Sequence, residues 1–75
     1  MNLYEINEGE SAEILSVDID KRLIFKQISD LGIKKGEVVT LERKNDGVAL
    51  IGLYGRLMCF NESILSKIIV KKISK

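Results

Sequence analysis

The stretch Ile28-Ser29-Asp30-Leu31-Gly32-Ile33-Lys34-Lys35-Gly36 decides the fold, because it is where a helix stops and a strand begins. Gly32 can take the left-handed conformation that closes a helix at C′, and Ile33 then supplies the apolar contact back onto the last turn. Gly36 suits the third position of a type II turn over Lys34-Lys35-Gly36-Glu37, where φ must be positive. The apolar, β-branched run Val38-Val39-Thr40-Leu41 follows at once and reads as a strand.

Upstream of this corner, Asp20 is a good N-cap residue and residues 21–31 can form about three turns of helix. Leu23, Ile24, Ile28 and Leu31 fall within one sector at 100° steps, with Gln27 inside it, and form the predicted core-facing stripe. Phe25 lies off that stripe, beside Ser29 and Arg22; it either folds over the edge of the barrel or stands free for a partner. Ser11 to Val17 reads as a first strand, preceded by the turn Asn7-Glu8-Gly9-Glu10 and by Leu3 and Ile6 as anchors in an otherwise irregular start.

Downstream, residues 37–44 make a second strand, Asn45-Asp46-Gly47 a short hairpin turn, and residues 48–53 a third strand in which Gly52 signals a bulge or a sharp bend. Tyr54-Gly55 turns into a fourth strand over residues 56–60. Asn61 caps a single helical turn over 62–66, and residues 68–73 close the chain as a fifth strand. Five short strands with tight turns predict a mainly β protein: a small SH3-like β-barrel with one α-helix after the first strand and a short helical turn before the last. Wrapping into a barrel would hide the sheet edges. An OB-like barrel is the alternative, but that fold usually puts its helix between strands three and four.

Seventy-five residues make one domain, residues 1–75, and a hydrophobic fraction of 45% is ample for its core. The formal charge is +1, yet the charges are segregated. Glu5, Glu8, Glu10, Glu13, Asp18 and Asp20 precede the first base, and the chain's 12 bases all follow. A solvated acidic edge facing a basic one accounts for this pattern without a nucleic-acid footprint. No run reaches the roughly 20 apolar residues of a membrane helix, and the start lacks the order of a signal peptide. The expectation is a cytoplasmic protein, not membrane-inserted and complete from Met1.

The catalytic inventory is thin. There is no histidine, and the single cysteine, Cys59, sits between Met58 and Phe60 where it reads as a core thiol. A zinc or iron site built from His and Cys cannot be assembled, no calcium loop is present, and Gly-Ile-Lys-Lys-Gly opens a strand rather than the helix a phosphate loop needs. No catalytic residue, metal ligand or cofactor is assigned. Lys67, Lys71, Lys72 and Lys75 form a basic C-terminal run, and Tyr54 and Phe60 offer rings that could stack on bases, which keeps a small nucleic-acid-binding barrel among the alternatives.

Three segments resemble the FeoA family: Gly9-Glu10-Ser11-Ala12-Glu13-Ile14-Leu15-Ser16-Val17, Leu31-Gly32-Ile33-Lys34-Lys35-Gly36-Glu37-Val38-Val39 and Ile64-Leu65-Ser66-Lys67-Ile68-Ile69-Val70. The segments fall between Gly9 and Val70, and the resemblance as a whole spans residues 3–73. The resemblance implies a small cytosolic accessory protein of bacterial ferrous iron transport that acts by binding FeoB, a membrane permease with a cytosolic GTPase domain. A related SH3-like module forms the C-terminal domain of iron-dependent repressors, so a transition-metal-responsive domain is a second alternative. On this reading the partner contact is Phe25 with the corner Leu31, Gly32 and Ile33, although Leu31 and Ile33 also suit the core. No nucleic-acid partner is expected, and a homo-oligomer is in keeping with a small barrel whose edges are apolar.

Overall fold

Alternation fixes the faces of the first strand: β1 (Ser11–Val17) turns Ala12 and Ile14 inward and leaves Ser11 and Glu13 on the other side. A computed structural model describes residues 1–73, in which β1 is joined by β2 (Val38–Asn45), β3 (Val48–Leu53), β4 (Arg56–Asn61) and β5 (Ile68–Lys72). They form one antiparallel sheet in the order β4-β3-β2-β1-β5. Two two-residue turns set the hairpin registers, with positive φ at Asp46 and Gly47 (49° and 79°) and at Tyr54 and Gly55 (52° and 77°). Both have the left-handed pair of a type I′ turn, whose twist matches that of the flanking strands.

The bulge expected at Gly52 lies on its neighbour instead. Gly52 pairs regularly with Thr40 and Leu57, while the register slips between Leu41 and Arg43 of β2 and again between Ile14 and Ser16 of β1. A Cβ at Gly52 would meet Oε2 of Glu42 at 2.8 Å, so the glycine makes room for the side chain of the bulged residue.

Helix α1 (Arg22–Asp30) and the single turn α2 (Glu62–Leu65) flank the sheet, and a 3-10 turn, Leu3–Glu5, precedes it. Asp20 does not cap α1. The N-cap position is Lys21, with no side-chain cap, one residue further along than predicted. Asn61 does cap α2, its Oδ1 accepting the Ile64 N–H at 3.0 Å. At the start of the chain, the Glu5 carboxylate accepts the Asn2 N–H at 2.7 Å and closes the 3-10 turn that the sequence reading left irregular.

The core between sheet and helices is aliphatic. Leu3, Ile6, Ile14, Ile28, Ile33, Leu41, Ile51, Leu65 and Ile68 are almost wholly inaccessible, and among the described residues no polar side chain is buried with them. Each such leucine or isoleucine contributes about 1.5–3 kcal/mol of burial, which is the main stabilising term in a domain of this size. The architecture is the small SH3-like one expected, with the helix after the first strand and the helical turn before the last; its sheet is not closed on itself, and β4 and β5 remain its two ends. At the β5 end Val70 donates to the Met1 carbonyl at 2.8 Å and Asn2 bridges to Ile69, so the start of the chain covers that edge.

Candidate partner-docking surface

The corner closes α1 as the glycine spacing requires. Gly32 has φ of +101°, its N–H donates to Ser29 at 2.9 Å, and the Ile33 N–H donates to Ile28 at 3.2 Å, the two bonds of a Schellman cap. Four residues on, Gly36 has φ of +93° and Glu37 donates back to Lys34 at 3.1 Å, closing the second turn. The β3–β4 turn then holds the cap from outside: Arg56 Nη2 donates to the Leu31 carbonyl at 2.8 Å. The Tyr54 hydroxyl donates to the Glu37 carboxylate, and that bond holds the phenol above its ordinary pKa.

These contacts divide the four predicted docking residues. Ile33 is in the core, so it can serve a partner only by holding the corner in shape. Gly32 packs directly on Leu53. Leu31 is 36% exposed and Phe25 43% exposed, but they do not share a patch. Six helical steps separate them by about 9 Å along α1 and about 120° around it. The predicted stripe is narrower than expected: Ile28 is buried and Ile24 packs against the core, whereas Leu23, at 70% exposure, and Leu31 face outward. The helix meets the sheet along one line of residues, and Leu23 lies about 100° from Ile24, beyond its reach.

Two concave surfaces meet at the N-terminal end of α1. Ile19, Lys21, Ile24, Ile64 and Lys67 line a groove of about 280 Å³ between α1 and α2. A second hollow shares Ile19 and Asp20 with it and runs to Arg22, Phe25 and Lys26. The floor is branched aliphatic and the rim is mostly cationic, from Lys21, Arg22 and Lys67. Lys26 is held by Asp30 at 3.1 Å. Lys67 belongs to the basic run read from the sequence, but Ile19 and Ile64 were not singled out; the one signal for Ile19 was an isoleucine between two aspartates.

The remaining sequence candidates settle as follows. Cys59 is exposed, a correction to the expected core thiol, because Met58 and Phe60 take the inward positions of β4. Phe60 therefore packs against the core, while Tyr54, at 75% exposure, is the free ring. The basic run is partly neutralised, with Lys72 pairing Glu10 at 3.3 Å and Lys71 standing opposite Glu13 in the β1–β5 ladder. Lys75 lies outside the described residues. The segregated charges of the chain thus meet across one strand pair. Among the described residues, no three His, Cys, Asp or Glu side chains converge on a common point, and no helix is long and apolar enough to cross a membrane.

Comparison with known proteins adds three findings. The solved FeoA protein of Chlorobium tepidum is similar over 99% of this chain and 71% of its own, with 22% identity and a TM-score of 0.86. A zinc complex of Stenotrophomonas maltophilia FeoA, described as an SH3 domain protein, matches at 23% identity and a TM-score of 0.83, over 95% of this chain and 89% of that one. A manganese-dependent transcriptional repressor shares the fold at 9% identity and a TM-score of 0.87, with the chain spanning 97% of itself but 41% of the repressor. No curated protein sequence matches. The FeoA domain family model covers residues 1–72, nearly the whole chain, and the chain belongs to the FeoA domain family.

Proposed function

We propose that this chain is a non-enzymatic accessory protein of bacterial ferrous iron transport, working on the cytosolic side by docking on the GTPase domain of a FeoB-type permease. Membership of the FeoA family supports the transport role. The observation that carries the docking surface is the exposure of Phe25 in the hollow that adjoins the groove floored by Ile19, Ile24 and Ile64. Large apolar side chains standing out on a short helix beside a concave apolar floor are the usual anatomy of a recognition site. The cationic rim of Lys21, Arg22 and Lys67 calls for a partner surface that offers apolar side chains flanked by carboxylates.

Calorimetric titration of the chain with the isolated GTPase domain of the matching permease tests this reading. Phe25→Ala should weaken binding by about tenfold or more while leaving the circular dichroism spectrum unchanged. Lys67→Glu should slow association and flatten its dependence on salt. Undiminished affinity in both variants would move the contact away from α1.

A further inference from the structure

The two ends of the sheet are treated differently. The β5 edge carries Lys71 and Lys72 and is covered by Met1 and Asn2, both devices that protect an edge strand from unwanted pairing. The β4 edge, Arg-Leu-Met-Cys-Phe-Asn, has no proline, no lysine and no bulge, and it pairs with β3 without a register slip.

Hairpin geometry identifies its free groups. The two-residue turn closes on the Leu53–Arg56 pair, so the hydrogen-bonded pairs fall at Leu53–Arg56, Ile51–Met58 and Ala49–Phe60. The Glu62 N–H donating to Gly47 at 2.7 Å continues the same alternation. The N–H and C=O of Leu57 and Cys59 therefore point away from β3. Among the described residues, no other element pairs with them. Their side chains are exposed too, on the outer face of the sheet.

We propose that β4 pairs antiparallel with β4 of a second copy about a two-fold axis at Met58, joining two sheets into one of ten strands. In this register Leu57 stands opposite Cys59 of the other copy on both sides of the axis, and all four outward backbone pairs are satisfied. Charge selects the antiparallel sense. The strand has Arg56 at its start and Glu62 just past its end. Antiparallel pairing sets each Arg56 opposite Phe60 of the other copy and diagonal to its Glu62, whereas parallel pairing would set like charges side by side. A contact of about five residues a side lies below the size of stable interfaces, so the dimer is weak and concentration-dependent. Neither β4 strand covers the Phe25 groove, so self-pairing stands independently of the docking surface above.

Sedimentation equilibrium of the full chain from micromolar to millimolar concentration is the test, with Leu57→Pro and Cys59→Lys as edge-blocking variants. Proline at 57 removes an N–H that the monomer does not use, and lysine at 59 places a charge on the edge. The wild type should pass from 8.4 kDa towards twice that mass, and both variants should stay monomeric with their dichroism unchanged. If Leu57→Pro unfolds, Cys59→Lys decides alone. The register is read by Leu57→Cys, which should cross-link as a dimer under mild oxidation through its bond to Cys59 and lose that cross-link in Leu57→Cys/Cys59→Ser. A wild type monomeric throughout, or a dimer that persists with the edge blocked, overturns the proposal. So do amide shifts at Leu57 and Cys59 that follow an added GTPase domain rather than concentration, since they would give the edge to a partner strand.

Discussion

A methyl group on Gly32 would stand 2.9 Å from Cδ2 of Leu53, closer than real side chains approach. Leu53 is buried, so moving its Cδ2 aside means repacking the core around it. The helix cap and β3 are thus in contact through the absence of a side chain, and this close approach sets how α1 leans on the sheet.

Gly32→Ala should combine two penalties, the strain of φ at +101° and the overlap with Leu53, for a loss on the order of 2–4 kcal/mol. Gly36→Ala isolates the first, because φ there is +93° and nothing lies within 4 Å of the added Cβ. That change should lose about 1–2 kcal/mol. Urea unfolding of the two variants measures the difference, and equal losses would show that the Leu53 contact adds nothing.

The same corner is braced by Arg56, whose guanidinium donates to the Leu31 carbonyl at 2.8 Å. The carbonyl at a helix C-terminus is electron-rich, and a cation there complements the helix dipole. Arg56→Ala should lose about 0.5–1.5 kcal/mol, the range for one exposed hydrogen bond. Amide exchange should speed up at Gly32 and Ile33, which close the cap, and not in β1. Uniform acceleration across the chain would instead mean that the bond acts on global stability alone.

Much of this geometry is legible in the residue order. The Gly32–Gly36 spacing encodes a Schellman cap followed by a turn, and both form as the residues dictate. Cys59 shows how a register can be missed. Leu57, Met58, Cys59 and Phe60 are all apolar, so composition cannot say which pair faces the core. The turn length could have decided it: two residues at Tyr54-Gly55 put Arg56 opposite the inward Leu53 and hence Met58 and Phe60 inward. The groove beside Phe25 was not legible in the same way, because Ile19 and Ile64 lie 45 residues apart and come to one groove only in the folded chain.

At the other end of the molecule Lys44 ties the chain start to the β2–β3 hairpin. Its Nζ donates to the carbonyls of Tyr4 and Ile6 at 2.7 and 2.8 Å and lies 4.9 Å above the Tyr4 ring. Lys44→Met keeps the length of the side chain and removes both bonds, for a loss of about 1.5–3 kcal/mol. Because the same segment covers the β5 edge, proteolysis near residues 7–10 should accelerate in this variant more than in one of equal stability altered elsewhere. Unchanged cleavage would dissociate the lysine from the clamp.

The contact between the acidic and basic parts of the chain predicts a pH effect. Glu10 accepts the Asn7 N–H at 2.7 Å and pairs with Lys72 at 3.3 Å. The backbone bond is the larger cause, and together these hold its carboxyl below the ordinary value. A depressed carboxyl contributes stability that is fully present above the unfolded-state pKa, near ~4.3, and is lost as pH falls through the lower folded value. Glu10→Gln lacks that contribution at neutral pH. The stability gap between parent and variant should therefore be widest near neutrality and close as the solution is acidified below about pH 4. High salt should narrow the gap only in part, because salt screens the exposed Lys72 pair and leaves the Asn7 hydrogen bond in place. A gap that stays constant down to about pH 3 would mean that the side chain, not its charge, supports the turn.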